Sequence, residues 1–219
     1  MPSLCYILTA LAAYLLGSVP FGFLVAKAKG VDIRSVGSGN IGATNAMRVL
    51  GKPAGIFVLL MDVLKGFAAC AWIPDFLLYH WPFKYEFSPE QILLLHVIAG
   101  ICAVLGHNYT CWLKFKGGKG IATTAGVYLA LAPWAVLVAL VVFILAVLVT
   151  KYVSAGSISA AIALPVTVWI MSPQNLFLGI VTTALGALAV YKHKSNIQRL
   201  MAGTENRLGK KPSTAEAAK

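Results

Sequence analysis

A membrane-embedded bundle of α-helices is the fold class that the sequence predicts, and three observations predict it. Hydrophobic residues fill 59% of the 219 positions and charged residues only 11%, against about 25% charged residues in an ordinary soluble domain. The mean hydropathy is +0.80. Uncharged apolar stretches recur along the chain, and about 20 such residues suffice for a helix to cross a bilayer. We therefore expect an all-α, polytopic membrane protein.

Six apolar stretches are the candidate spans. The first, 4–26, carries no charge and has neither a basic leader nor a clear cleavage site, so we expect it to be retained. The second, 53–72, contains Asp62 and Lys65. The remaining stretches are 91–106, 121–150, 154–171 and 175–191.

The stretch 121–150 is too long for one ordinary helix and short for two. Pro133 lies near its middle and offers a break. A split there gives seven spans and puts every Lys and Arg except Lys65 and Lys84 in segments on one side, as the cytoplasmic bias of basic residues requires. We therefore predict seven transmembrane helices, the N-terminus outside and the C-terminus in the cytoplasm. The fourth span must be short, and we expect it to begin inside the glycine run at 117–120.

One domain, 1–208, holds all the predicted helices, and the polar end 209–219 has the composition of a disordered tail. The opposite-side loop 74–90 is acidic and aromatic, and we expect its rings to lie at the membrane interface. Those rings belong to Trp81, Phe83, Tyr85 and Phe87.

The formal net charge of +11 is compatible with nucleic acid, with a membrane surface or with anionic substrates. In so apolar a chain it favours membrane lipids and anionic substrates, and no nucleic-acid partner is expected. The four cysteines have no metal-binding spacing. No carboxylate pair or histidine cluster indicates a metal ion, and no cofactor is expected.

A first polar cluster, GSGNIGATNAMR, spans 37–48. Its glycines allow positive φ, so backbone N–H groups can point into one concavity at the start of a helix that runs through Arg48. Arg48 can bind a phosphate through two hydrogen bonds. A flexible polar loop with an ordinary helix cap is the alternative. The predicted phosphate ligands or reactive groups here are Gly37, Ser38, Gly39, Asn40, Thr44, Asn45 and Arg48.

A second cluster, GHNYTCWLKFKGGKGIATT, spans 106–124, and its Lys119 is surrounded by Gly117, Gly118 and Gly120. Because a glycine follows Lys119, the phosphate-loop pattern GxxxxGK[ST] is incomplete. Nucleotide hydrolysis is therefore not expected, whereas phosphate contact by glycine amides and Lys119 is. A plain basic surface patch is the alternative. His107, at the end of a span, is interpreted as a cap or an interfacial side chain.

A third cluster, HKSNIQRLMAGTE, spans 193–205. His193 and Asn196 are three residues apart and therefore share a helical face, with Arg199 near the same side. Glu205 is the only acid among the three clusters, and an Arg or Lys partner is its simplest role. A solvated basic tail is the alternative.

Two further polar features lie outside these clusters. Asp62 and Lys65 stand three residues apart inside a span and can pair, either as a functional site or as a structural tie. Ser154 and Ser157 follow Lys151 and are interpreted as helix caps or as additional phosphate donors.

The three clusters, in this order, closely resemble the motifs of the PlsY family of bacterial acyl-phosphate:glycerol-3-phosphate acyltransferases, and the stretch DVLKG at 62–66 is similar to the same family. The resemblance covers nearly the whole chain except the tail. It implies a seven-helix enzyme of the inner membrane that transfers an acyl group from acyl phosphate to the 1-position of sn-glycerol 3-phosphate. The implied products are lysophosphatidic acid and inorganic phosphate.

The resemblance also implies roles for individual residues. Ser38 and Arg48 would serve the first motif, Lys119 the second, and His193, Asn196 and Glu205 the third. Both implied substrates carry phosphate, so two anions must lie near each other, which suits the glycine loops and fixed cations. An acyl phosphate has a good leaving group, so positioning and electrostatics can carry the reaction without an acyl-enzyme. Whether His193 or a substrate phosphate takes the hydroxyl proton stays open.

Two other functions fit part of the pattern. A transporter of organic phosphates also uses short, glycine-broken spans, but its site belongs at the bilayer midplane, whereas these clusters share one face. A lipid-binding structural protein would hold anionic lipid with its basic loops and would tolerate Lys at position 48 or Ala at position 118.

Overall fold

The computed structural model describes residues 2–80 and 86–208, and all its regular structure in these ranges is helical. A 3-10 turn, Cys111–Leu113, follows α5. The α-helices are α1 (Pro2–Ser18), α2 (Phe21–Ala28), α3 (Ala43–Leu50), α4 (Lys52–Tyr79), α5 (Pro89–Asn108), α6 (Ile121–Leu131), α7 (Pro133–Thr150), α8 (Val153–Met171), α9 (Leu176–Lys192) and α10 (Lys194–Met201). The all-α prediction is confirmed.

The first apolar stretch forms two helices, where the sequence predicted one span without a break. The helices α1 and α2 are separated at Val19 and Pro20, because Pro20 has no N–H for the helical ladder. The break frees the carbonyl of Val19, which accepts a hydrogen bond from Lys65 Nζ at 2.8 Å. Together the two helices still form one apolar candidate span, Ser3–Ala28.

Helix α4 continues through Pro74 to Tyr79, so the prediction that a loop begins at Pro74 is wrong. A proline inside a helix leaves the carbonyl four residues earlier without its donor, which here is that of Cys70. His96 on α5 fills the gap, since its Nδ1 lies 2.7 Å from Cys70 O. Of the predicted interfacial rings, Phe87 packs against Tyr6 with ring centroids 6.2 Å apart. Trp81, Phe83 and Tyr85 lie outside the described residues.

The predicted split at Pro133 is confirmed, since α6 ends at Leu131 and α7 begins at Pro133. The prediction that the fourth span begins inside the glycine run is wrong, because α6 begins only at Ile121. Gly120 has a left-handed φ of 83°, which a right-handed helix cannot include. With 11 residues, α6 is about 16 Å long, shorter than a hydrocarbon core of about 30 Å.

Five segments of the described chain are long and apolar enough to cross a membrane, and a sixth is obtained if α9 and α10, which are bent by 54°, are counted together. The polytopic helical character is therefore confirmed, whereas the number seven and the orientation of the ends stay predictions. The five segments are Ser3–Ala28, Lys52–Tyr79, Pro89–Leu113, Pro133–Thr150 and Val153–Met171. The predicted disordered tail, 209–219, lies outside the described residues.

Glycines let the central helices approach each other closely. A side chain at Gly17 on α1 would strike the backbone of Ala103 on α5, and one at Gly66 on α4 would strike the backbone of Thr123 on α6. Such small residues are typical of membrane helix interfaces, where packing replaces the hydrophobic effect. A buried hydrogen bond from Tyr128 on α6 to Thr182 on α9, 2.7 Å long, adds α9 to this core. The start of α6 is therefore held by α4, and its middle by α9.

Candidate functional site

The first polar cluster is organised by the side chain of Asn45. Its Nδ2 donates to the carbonyls of Ile33, Val36 and Asn40 at 2.9–3.2 Å, and its Oδ1 accepts from the backbone N–H of Ser38 at 2.8 Å. Asn45 is only 2% exposed, and every polar atom of its amide is engaged. The prediction of Asn45 as a phosphate ligand therefore needs correction, because this amide holds the loop together.

The glycines of this cluster differ in conformation. Gly37 and Gly39 have φ of 61° and 67°, as predicted for a loop that turns its N–H groups to one side. Gly42 has φ of −81° and is the residue before α3, so the prediction of positive φ is wrong there. Asn40 Oδ1 accepts from the N–H of Gly42 at 2.8 Å. The loop leaves its other predicted ligands exposed, which are Gly37, Ser38, Gly39, Thr44 and Arg48.

The second cluster folds back onto the end of α5. The N–H of Gly118 donates to His107 O at 3.0 Å, and that of Gly117 donates to Asn108 O at 3.2 Å. Gly117 and Gly118 have ordinary φ values, and the close approach is what requires them: an added Cβ would strike His107 in both cases. Gly120 alone in this run needs the left-handed conformation. Lys119 lies between Gly118 and Gly120, and its side chain points toward the third cluster.

A chain of hydrogen bonds joins the second and third clusters. Lys119 Nζ donates to Asn196 Oδ1 across 77 residues of sequence. Asn196 Nδ2 in turn donates to Glu205 Oε1 at 2.9 Å. Arg199 Nε donates to the other carboxylate oxygen at 2.8 Å, so the expected basic partner of Glu205 is Arg199. Ser154 Oγ, from α8, also donates to Glu205, at 3.1 Å.

Positive charge accumulates around this chain. Burial, together with the nearby guanidinium of Arg199, lowers the pKa of Lys119 to about 8. The carboxylate of Glu205 opposes that shift, and Arg48 from the first cluster adds to it. Arg48 is thus the residue that brings the first cluster into the electrostatic field of the other two. Three cations around one carboxylate attract a further anion.

His193 lies at the bend between α9 and α10 and is 3% exposed. Its Nδ1 is 2.7 Å from the carbonyl oxygen of Ala189, so Nδ1 carries the hydrogen and donates it. The other ring nitrogen, Nε2, then has a lone pair that can accept a hydrogen bond. Lys119 and Glu205 are both within electrostatic reach of this ring.

The structure therefore brings four predicted residues together: Lys119, Asn196, Glu205 and His193. Two other predicted residues lie outside this group. Ser38 contacts it through no hydrogen bond in the described residues. Ser157 Oγ donates to Val153 O at 3.0 Å within α8, so its hydrogen is already engaged. Ser154, which the sequence suggested as a helix cap or a phosphate donor, instead donates to Glu205. Arg199 was placed near the face of His193 and Asn196, and it binds the same carboxylate. Nothing in the local sequence pairs Ser154 with Glu205.

Comparisons with known proteins identify relatives of this chain. The family model for glycerol-3-phosphate acyltransferase matches residues 7–203. The chain is 45% identical over 201 residues to a glycerol-3-phosphate acyltransferase of Geotalea daltonii, covering 91% of this chain and 96% of that protein. It is 46% identical over 201 residues to the protein of the same name from Geobacter sulfurreducens, covering 92% and 96%.

Two crystal structures share the fold. PlsY (YgiH), an integral membrane glycerol 3-phosphate acyltransferase, in its glycerol 3-phosphate form, superimposes with a TM-score of 0.81 at 37% identity, covering 93% of this chain and 96% of that one. Its lysophosphatidic acid form gives a TM-score of 0.78 at 36% identity, covering 97% and 98%. The likeness therefore extends over almost the full length of both chains.

We predict that Asn45→Asp opens the first loop. The substitution keeps the shape of the side chain but turns its donor group into an acceptor that faces three carbonyls. A buried polar group left without a partner costs about 1–3 kcal/mol. Hydrogen exchange of the amides in 31–42 should become faster. Ser35→Ala is the matched control, because it removes one exposed hydrogen bond, to Asp32 O, from the same loop. Unchanged protection in Asn45→Asp would contradict the scaffolding role.

Proposed function

The chain belongs to the glycerol-3-phosphate acyltransferase family, and from that premise we propose that it transfers a fatty acyl group from acyl phosphate to the 1-position of sn-glycerol 3-phosphate. The products are lysophosphatidic acid and inorganic phosphate, which makes the reaction an entry to phospholipid biosynthesis. The observation that carries the proposal is the hydrogen-bonded series Lys119–Asn196–Glu205, which joins a glycine loop to the buried Asn196 of α10 amid fixed cations.

Both proposed substrates carry a phosphate group, and the site has the charges to hold two of them. Lys119, Arg199 and Arg48 supply positive charge, and Glu205 keeps the first two in place. The exposed hydroxyl groups of Ser38 and Thr44 add neutral hydrogen-bond donors. The proposed phosphate ligands are Gly37, Ser38, Asn40, Thr44, Arg48 and Gly120. The hydrogens of the other predicted ligands, Gly39, Gly117, Gly118 and Ser157, are already donated within the protein.

The chemical step is the attack of a glycerol hydroxyl oxygen on the carbonyl carbon of the acyl phosphate. The new ester C–O bond forms as the bond between that carbon and the phosphate oxygen breaks, and inorganic phosphate leaves. His193 Nε2 accepts a hydrogen bond from the attacking hydroxyl, since the hydrogen on Nδ1 is donated to Ala189 O. The hydroxyl proton ends on the departing inorganic phosphate. Lys119 neutralises charge on the departing phosphate.

An acyl phosphate is already activated, so no covalent acyl-enzyme is needed. In the described residues, the Ser38 hydroxyl has no hydrogen bond to a histidine or carboxylate that would activate it as a nucleophile. This geometry supports direct transfer between the two bound substrates. Ser38 donates a hydrogen bond to a phosphate oxygen or to the acyl carbonyl oxygen. Positioning two reactants in one site can itself supply several kcal/mol of the barrier reduction, roughly 7–11 in well-oriented systems.

We propose seven spans in a single domain, 1–208, and the contacts at Glu205 support that number. Residues that touch at one end of a bundle lie on one side of the membrane, so an even number of crossings separates them. Two crossings, α8 and the bent pair of α9 and α10, separate Ser154 from Glu205. Four helices, α6 to α9, separate Lys119 from Asn196. The short α6 therefore counts as a crossing, which brings six candidate spans to seven.

The proposed orientation puts the N-terminus outside and the active site at the cytoplasmic face of the inner membrane. The basic residues of the three clusters support it through the cytoplasmic bias of Lys and Arg. Because α6 is too short to reach that face, the glycine loop is recessed below the membrane surface. There its backbone must be satisfied by protein, as the bonds to His107 and Asn108 satisfy it. Membrane lipids surround the apolar helices.

The purified protein is expected to form lysophosphatidic acid from radiolabelled glycerol 3-phosphate when palmitoyl phosphate is supplied. Palmitoyl-CoA and palmitoyl carrier protein, supplied separately, should give none, because the proposed site uses phosphate as the leaving group. The NMR spectrum of the product reports whether the acyl group is at position 1. Absence of product with every donor, in protein shown to be folded, would overturn the proposed function.

The pH profile is expected to fall on the alkaline side with an apparent pKa near 8. The ammonium form of Lys119 binds phosphate, is present below its pKa of about 8, and is lost as the pH rises through that value. The kcat/KM for glycerol 3-phosphate should fall roughly tenfold per pH unit above it. In Lys119→Arg the cation persists, so this fall should disappear even if activity is lower. Lys116→Arg, an exposed neighbour, is the control, and an unchanged profile in Lys119→Arg would refute the assignment.

The orientation can be measured by labelling single cysteines in spheroplasts with a membrane-impermeant maleimide. A variant without its four native cysteines carries either Glu86→Cys or Gln198→Cys, both at exposed positions. We expect Glu86→Cys to react in intact spheroplasts and Gln198→Cys to react only after permeabilisation. The opposite pattern would invert the orientation, and labelling of both in intact spheroplasts would exclude an odd number of spans.

A further inference from the structure

A second polar group lies inside the bundle, and the proposed chemistry does not use it. Asp62 and Lys65 on α4 are 2% and 3% exposed, with Lys65 Nζ 2.7 Å from Asp62 Oδ1. Charges at membrane depth are costly, and even a paired buried charge adds little to stability compared with apolar residues. Stability alone therefore does not account for the pair.

Lys65 has a clear structural task. Its Nζ donates to the carbonyl of Val19 at 2.8 Å, at the break between α1 and α2. Asp62 balances that charge through one carboxylate oxygen. The same oxygen, Asp62 Oδ1, is 3.6 Å from Nδ1 of His107 on α5. The charged pair on α4 therefore faces a buried histidine at the point where α5 ends.

The glycine loop packs against His107. A Cβ added to Gly118 would collide with Nε2 and both neighbouring carbons of the imidazole ring. The N–H of Gly118 donates to the carbonyl of the same histidine at 3.0 Å. His107 thus contacts Gly118 through both its ring and its backbone, and Lys119 is the next residue.

We propose that His107 is a positioning residue for the acyl-transfer reaction, held from behind by Asp62 and acting on substrate only through Gly118 and Lys119. The residues lie in series between α4 and the proposed phosphate site. Asp62 faces the imidazole of His107, the imidazole limits the position of Gly118, and Lys119, the next residue, donates to Asn196. This inference rests on the proposed function, because it assigns His107 a part in the same site.

The test is a double-mutant cycle between His107 and Lys119. His107→Ala leaves room for the loop to shift, and kcat/KM for glycerol 3-phosphate should fall roughly 10- to 100-fold, as expected when a binding group is misplaced by about 1 Å. In a Lys119→Ala background the same change should cost less than about twofold, because its effect runs through Lys119. A residue that matters only for folding would cost the same factor in both backgrounds.

His96→Ala is the matched control, since it removes a histidine–aspartate contact between the same two helices. His96 Nε2 is 3.3 Å from Asp75 Oδ1, and the residue lies 11 positions, or about 16 Å, from His107 along α5. It has no contact with the glycine loop. Its loss should lower the midpoint of thermal unfolding and leave kcat/KM within about twofold, equally in both backgrounds.

A second readout does not depend on turnover. Titration calorimetry with glycerol 3-phosphate should show weaker binding in His107→Ala than in the unmodified protein, and no further weakening when His107→Ala is added to Lys119→Ala. If His107→Ala does not fold, the same cycle is run with His107→Gln, whose amide keeps a polar group in the buried site.

The outcomes separate this inference from the proposed function. Non-additive losses at His107 and Lys119, with additive behaviour at His96, support the positioning role. Additive losses at His107 and Lys119, in an unmodified protein that makes lysophosphatidic acid, overturn the positioning role alone. An unmodified, folded protein that makes no product overturns the proposed function, and binding of glycerol 3-phosphate that is insensitive to His107 then overturns this inference as well.

Discussion

Polar backbone groups that lie among membrane helices must find partners within the protein, because lipid offers none. Three irregularities in this bundle meet that requirement with a group from a neighbouring segment. Lys65 on α4 donates to the carbonyl at the break between α1 and α2, and His96 on α5 satisfies the carbonyl that Pro74 leaves open in α4. The carbonyls at the end of α5 accept the N–H groups of the glycine loop. The site is built at the last of these three places.

The short helix α6 follows from the same constraint. The glycine loop packs directly on His107, because Gly117 and Gly118 have no side chain. Because Gly120 has a left-handed φ, α6 begins only at Ile121. Lys119 therefore lies just before α6, where its Nζ donates to Asn196.

Glu205 organises the positive charges around Lys119. As the one carboxylate among three nearby cations, it accepts hydrogen bonds from Asn196, Arg199 and Ser154, and so draws α8 and α10 together. Asn196 then presents its oxygen to Lys119. The positive charges of this fixed array repel one another less because one carboxylate lies between them. Such an array suits the proposed reaction, in which both substrates carry phosphate.

The sequence by itself determined the class of the fold, the break at Pro133, the three polar clusters and the Asp62–Lys65 pair, because each is recorded in residues at most a few positions apart. The family resemblance pointed to the enzyme, and the comparisons agree. Only the tertiary structure decided that Asn45 holds its loop instead of facing a ligand, that Pro74 stays within a helix, and that His107 lies between Asp62 and Gly118. Ser154 and Glu205 are 51 positions apart, and their contact depends on which helices pack together. Local sequence records backbone preference and polarity, whereas the partner of a buried polar atom is chosen by the packing of the whole bundle.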